Sequence, residues 1–122
     1  MYNILFIGIG KMGSPMAGYL SKKHDVSIYN RTKSKCDNWI KNYKGKVIDK
    51  LSETNQKYDF IISCVGNDED LKEITSKDKG CLKSLKEKSI FIDHSTVSPR
   101  IVREVEKNLE NLGVCFLDAP IS

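Results

Sequence analysis

The glycines of Gly8-Ile9-Gly10-Lys11-Met12-Gly13 constrain this chain more than any other feature, because of what stands on either side of them. The apolar run Ile4-Leu5-Phe6-Ile7 leads straight into the first glycine and reads as a buried strand. Ser14 to Lys23 follows and reads as a helix. Glycine at 8 allows a tight strand-to-helix turn, and glycine at 10 leaves room for a pyrophosphate to approach the backbone. Glycine at 13 removes a side chain where the helix must pack closely on the strand. The amides of the first helical turn, with the positive end of the helix dipole behind them, would then face the phosphates. The spacing alone also suits a glycine-rich turn in another α/β protein. The flanking strand and helix favour a dinucleotide-binding unit.

His24 to Asn30 reads as the next strand, with Val26 and Ile28 alternating against polar neighbours. Its end lies about twenty residues beyond the central glycine, where a dinucleotide site meets the adenosine ribose. An Asp or Glu there would accept hydrogen bonds from a free 2′-hydroxyl and repel a 2′-phosphate. This chain has Asn30-Arg31-Thr32, followed by Lys33. Asn30 carries no charge to repel a phosphate, and Arg31 offers a planar, permanently charged fork suited to one. The triplet favours NADP over NAD; its plain structural alternative is a capped turn with an exposed arginine.

The alternation continues along the chain. A helix is expected from about Lys33 to Tyr43, with Cys36, Trp39, Ile40 and Tyr43 at helical spacing. Val47-Ile48 is a short strand candidate, Tyr58 to Val65 a strong one, and Ser89 to Asp93 the next. Between them lie a polar stretch with Leu71 and Ile74 and a helical turn around Leu82 and Leu85. Ser98-Pro99 starts the longest helix as N-cap and first helical residue; Ile101, Val102, Val105, Leu109 and Leu112 form its stripe, and Gly113 ends it. Val114 to Asp118 is the last strand. Strands alternating with helices predict a Rossmann-like, doubly wound α/β domain, its mainly parallel sheet covered on both faces. Residues 1–122 read as one such domain without an internal linker.

Composition narrows the function classes. The net charge of +4 comes from scattered lysines, not a basic block interleaved with aromatics, which argues against nucleic acid as a partner. No apolar run approaches membrane-spanning length, and no leader pattern precedes the first strand, so a cytoplasmic protein is expected. Cys36, Cys64, Cys81 and Cys115 show no metal-ligand spacing and read as buried, reduced thiols; no metal site is expected.

Taken together, Ile7 to Ala17, Asn30-Arg31-Thr32, Asp93-His94-Ser95-Thr96 and Asp118-Ala119-Pro120-Ile121-Ser122 resemble, in order and rough spacing, the β-hydroxyacid dehydrogenases. That family includes 3-hydroxyisobutyrate dehydrogenase and tartronate semialdehyde reductase, with 6-phosphogluconate dehydrogenase more distant. The resemblance implies the N-terminal NAD(P)-binding domain of an enzyme interconverting a 3-hydroxyacid and its semialdehyde. By the same resemblance, Gly8, Gly10 and Gly13 form the phosphate turn, with backbone from Lys11 and Met12. Asn30, Arg31 and Thr32 meet the adenosine ribose and its 2′-phosphate. Val65, Gly66 and Asn67 lie beside the cofactor, in a loop that reads Cys64-Val65-Gly66-Asn67-Asp68 where the family commonly has leucine-proline. Thr96 meets the nicotinamide ribose, and Ser122 holds a substrate carboxylate. His94 reads as a strand-end residue satisfied by hydrogen bonds rather than as a catalyst.

The family motif continues past the equivalent of Ser122 into an all-helical domain that carries the general acid/base lysine. The resemblance therefore implies that the domain is incomplete at its C-terminus, that no catalytic residue lies in these 122 residues, and that the chain alone does not turn over. It also implies a small carboxylic-acid substrate and a homo-oligomer for the full-length enzyme. Two other readings stay open: a non-catalytic dinucleotide-binding module, and the cofactor domain of an imine reductase-like enzyme.

Overall fold

The computed structural model describes residues 1–121. Among them, one sheet is built from β1 (Asn3–Ile7), β2 (Asp25–Tyr29), β3 (Lys46–Val47), β4 (Phe60–Ser63), β5 (Ile90–Asp93) and β6 (Cys115–Asp118). Helices α1 (Gly13–Ser21), α2 (Lys33–Asn42), α3 (Asp68–Ile74) and α4 (Pro99–Glu110) connect them, with 3-10 turns at Leu51–Glu53 and Leu82–Ser84. Every pairing is parallel, in the order β3-β2-β1-β4-β5-β6. The chain works outward from β1 to β3, then returns to β1's other side for β4 and continues outward. The loops leaving β1 and β4 diverge at that reversal, so a crevice opens above their C-terminal ends. The expected Rossmann-like sheet is the observed one.

The period of two along β1 builds two cores. Leu5 and Ile7 point to the face covered by α3 and α4, where they join Ile61, Leu71, Phe91, Ile101, Val105 and Leu109. Ile4 and Phe6 point to the opposite face, with Ala17 of α1 and Cys36 and Trp39 of α2. The Trp39 indole also donates to the Ser14 carbonyl at 3.1 Å, tying α2 to α1. At the α4 end, Ser98 accepts from the Ile101 amide at 3.3 Å with Pro99 following, as expected of that pair.

Several expectations need correction. Leu112 is 51% exposed, because the helix ends at Glu110 and the stripe of Ile101, Val105 and Leu109 does not extend past it. Ile40 is also exposed, since Cys36 and Trp39 take the buried side of α2, and Tyr43 lies just beyond the helix in extended conformation. The third strand sits one residue earlier than expected, and β4 is shorter than the apolar run suggested. The polar stretch after Gly66 forms α3. Of the four cysteines, all free, only Cys36 and Cys81 are buried. Cys115 is exposed because β6 is an edge strand among the described residues, and the face it shares with the 47%-exposed Leu117 has little cover. Coverage of both faces holds for the centre of the sheet and fails at β6.

Candidate functional site

The glycines do three different jobs at the end of β1. Gly8 sits at φ +102°, and a Cβ there would run into the Cys64 carbonyl at the end of β4. Its amide bonds to the Tyr29 carbonyl at 2.9 Å, so the turn is sewn between β2 and β4. A Cβ on Gly13 would strike the carbonyl of Gly8, which is the close helix–strand approach expected there. Gly10 differs: a Cβ there would meet nothing within 4 Å. The start of α1 carries no side-chain cap; the Ser14 amide bonds to the Gly10 carbonyl at 2.9 Å and Pro15 has no amide hydrogen, so what this end offers the crevice is its dipole and the amides before Ser14.

Asn30 holds this loop in place. Its Oδ1 accepts from the Ile9 amide at 2.8 Å, and its Nδ2 donates to the Thr32 carbonyl at 3.0 Å. Thr32 precedes α2 without a side-chain capping bond. Arg31 reaches across the end of β1 to Asp70 of α3, with bonds of 3.0 and 3.4 Å to the two carboxylate oxygens. Lys33 is not among the residues lining the crevice: its ammonium lies 4.3 Å from the centre of the Tyr29 ring and donates to the Asp49 carbonyl.

The crevice is a cleft of about 440 Å³, within the range of small-molecule sites. Gly8, Gly10, Lys11, Met12, Gly13, Asn30, Arg31, Thr32, Val65 and Gly66 all line it. Asn67 does not: its Oδ1 accepts the Asp70 amide at 2.9 Å and so caps α3. Thr96 lies away from this cleft, its hydroxyl bonded to the Ile121 carbonyl at 3.2 Å. Nδ1 of His94 meets the Ala119 carbonyl at 2.7 Å, a strand-end contact of the expected kind. Ser122 lies outside the described residues.

Sequence reasoning missed the acidic wall. Asp70 and Glu73, one helical turn apart on α3, line the cleft opposite Arg31. Asn67 followed by Asp68-Glu69-Asp70 is a helix-start signal, with carboxylates favourably placed on the first turn, and could have revealed α3. Beneath the cleft, a fully buried carboxylate joins the ends of β4 and β5. Asp93 Oδ1 accepts from the Ser63 hydroxyl at 2.8 Å and the Ser95 amide at 3.1 Å, and the Ser95 hydroxyl accepts the Val65 amide at 2.8 Å. Asp93 Oδ2 has no protein partner, and burial raises the carboxyl above its usual pKa against the lowering effect of the serine bonds. The same burial, with the charge of Asp93, raises the Cys64 thiol.

Among the described residues no helix is long and apolar enough to cross a membrane, and no group of three or more His, Cys, Asp or Glu could hold a metal ion. A crevice at the strand-order reversal, floored by a glycine turn and an uncapped helix start, is the geometry of a dinucleotide site. Known proteins agree. The chain is 42% identical over its whole length to an uncharacterized oxidoreductase of Shewanella frigidimarina (strain NCIMB 400), covering 42% of that protein. It is 35% identical over 118 residues to the mitochondrial 3-hydroxyisobutyrate dehydrogenase of Mus musculus, covering 96% of this chain and 35% of the mouse protein. Its fold matches a Mycobacterium tuberculosis 3-hydroxyisobutyrate dehydrogenase solved with L-serine, with a TM-score of 0.84 and 28% identity, over 100% of this chain and 41% of that one. The chain thus spans less than half the length of the relatives it matches. The family model for the NAD binding domain of 6-phosphogluconate dehydrogenase matches residues 3–122, and to that family of nicotinamide dinucleotide-binding domains the chain belongs.

Proposed function

We propose that this chain binds NADP in the crevice above β1 and β4, as the cofactor domain of an oxidoreductase that interconverts a small 3-hydroxyacid and its semialdehyde. Gly10 carries the cofactor reading. Gly8 and Gly13 are glycines because the fold leaves their side chains no room, whereas a side chain at Gly10 would meet open space. The absence of a side chain there is explained by a ligand whose phosphates approach the backbone. In this reading the backbone of Lys11 and Met12 and the start of α1 receive the pyrophosphate. Arg31 and Thr32 flank the adenosine ribose, with Asn30 holding the loop, and Val65 and Gly66 border the opposite wall.

A bound nicotinamide dinucleotide would supply the hydride acceptor. The protein's part is to hold it in register with the substrate, which Thr96 and Ser122 serve in this reading. The substrate class rests on the 3-hydroxyisobutyrate dehydrogenase relatives, and L-serine, present in one of them, is itself a 3-hydroxyacid. A cytoplasmic location is supported by the four unbridged cysteines.

Calorimetric titration of the chain with NADP+ and NAD+ tests the cofactor reading, with Gly10→Val as the control. Binding by the unmodified chain, lost in a variant with an unchanged circular dichroism spectrum, is the expected result. No binding by the unmodified chain, or equal affinity in Gly10→Val, would overturn it.

A further inference from the structure

We infer that Asp70 sets how strongly this site discriminates NADP from NAD, by competing with the 2′-phosphate for the guanidinium of Arg31; the inference rests on the cofactor reading above. Arg31 follows β2 and Asp70 stands on α3, so their ion pair spans the end of β1 and the crevice between them. The two side chains are unequal partners. Arg31 is 73% exposed and free to swing, whereas Asp70 is 16% exposed and its amide is fixed by the Asn67 cap. Gly66 adjoins the carboxylate: a Cβ there would lie 3.5 Å from Asp70 Oδ2.

A guanidinium binds carboxylate and phosphate through the same planar fork. With both oxygens of Asp70 on that fork, a 2′-phosphate must displace the carboxylate or share the guanidinium with it. Glu73 lines the same wall and adds a second negative charge facing the phosphate. NAD has a hydroxyl at this position and does not contest the pair. The Asn30-Arg31-Thr32 triplet therefore discriminates less than an unopposed arginine would. Asp70 acts here as a specificity-determining residue through Arg31.

The test is a double-mutant cycle on the 122-residue chain, reading NADP+ and NAD+ dissociation constants at low salt for the unmodified chain, Asp70→Asn, Arg31→Ala and the double variant. Asp70→Asn should raise NADP+ affinity about two- to fivefold, the range set by the worth of exposed ion pairs. NAD+ affinity should move far less than NADP+ affinity, the melting temperature should fall slightly with the loss of an exposed ion pair and a first-turn carboxylate, and most of the NADP+ gain should vanish in the Arg31→Ala background. Asp70→Ser provides a second route should the asparagine disturb α3. An unchanged NADP+ to NAD+ ratio in folded variants, or the same gain without Arg31, would overturn the inference while leaving the cofactor reading intact. Failure of the unmodified chain to bind either dinucleotide would overturn both.

Discussion

Asp68 grips Ser98 with both carboxylate oxygens: Oδ1 accepts the Ser98 amide at 2.8 Å and Oδ2 accepts its hydroxyl at 2.7 Å. The same hydroxyl accepts the Ile101 amide, so the cap of α4 is oriented by the first residue of α3. The two helices that cover one face of the sheet are thereby joined at their N-termini, beside the loops that leave β4 and β5.

This contact has a pH signature. The Ser98 bonds, hydroxyl first and amide second, hold the Asp68 carboxyl below its ordinary pKa. A lowered folded-state value means stabilisation that is present above the unfolded value, about 3.9, and lost as pH falls through the folded one. Asp68→Asn should therefore destabilise the domain at neutral pH, and the difference should shrink below about pH 4. Ser98→Ala should cost about 1 kcal/mol as the loss of a cap. Urea unfolding across a pH series measures both effects.

Gly8→Ala and Gly10→Ala should separate structure from ligand. Gly8→Ala forces a side chain into an unfavourable backbone region and against Cys64, at a cost of about 1–3 kcal/mol or more. Gly10→Ala should stay within about 0.5 kcal/mol of the unmodified chain, having nothing to clash with. Denaturant midpoints compare them directly, and equal losses would contradict the assignment of roles.

For Asp93 the sign reverses. Its carboxyl is raised by burial, so the folded state holds a proton that the unfolded chain releases from about pH 3.9 upward. The Asp93 contribution to stability falls as pH rises from there to the raised value, and is flat beyond it. Asp93→Asn, which stays neutral, should gain on the unmodified chain over that window. Asp93→Ala should cost about 1–3 kcal/mol near pH 4, because the Ser63 hydroxyl and Ser95 amide lose their buried acceptor, and that deficit should shrink as pH rises through the same window. Thermal melts of the three proteins between pH 4 and 8 would show both variants gaining on the unmodified chain as pH rises, with the Ala curve running below the Asn curve by the cost of the lost acceptor.

Asn30 should behave unlike Arg31. Its bond to the Ile9 amide shapes the glycine turn that both cofactors would share, so Asn30→Ala should weaken NADP+ and NAD+ alike, by about fivefold for one lost hydrogen bond. Asn30→Asp retains an acceptor for Ile9 but sets a negative oxygen beside the Thr32 carbonyl and near the ribose position. Its expected result is a shift of preference toward NAD+. Competition titration distinguishes a uniform loss from a change of ratio.

How far the sequence carried the reading is clearest at particular residues. Ser98-Pro99 announced α4 because capping acts within one turn, and Ile4 to Ile7 announced a strand because a short apolar run that ends at a glycine is too short for a buried helix. Leu112 and Ile40 were misjudged for the opposite reason. Their spacing suits the stripe, but burial depends on where a helix ends and what lies across from it. The α3 helix escaped notice because seven residues with an acidic first turn and only Leu71 and Ile74 apolar show little periodicity.

By itself the amino-acid sequence determined the alternation of strands and helices, the strand–glycine–helix turn and the position of Asn30-Arg31-Thr32 at the end of β2, because these depend on local backbone geometry and short-range spacing, whereas Lys11, Met12, Val65 and Gly66 were expected beside the cleft only through the family resemblance. Only the tertiary structure decided that Arg31 faces Asp70, that Asn30 braces Ile9, and that Asp93 lies buried beneath the cleft. Those partners stand 39, 21 and, for Asp93 and Ser63, 30 residues apart. Nothing local brings them together. They meet because parallel pairing aligns the C-terminal ends of β1, β2, β4 and β5 at one edge of the sheet, so that their loops converge there.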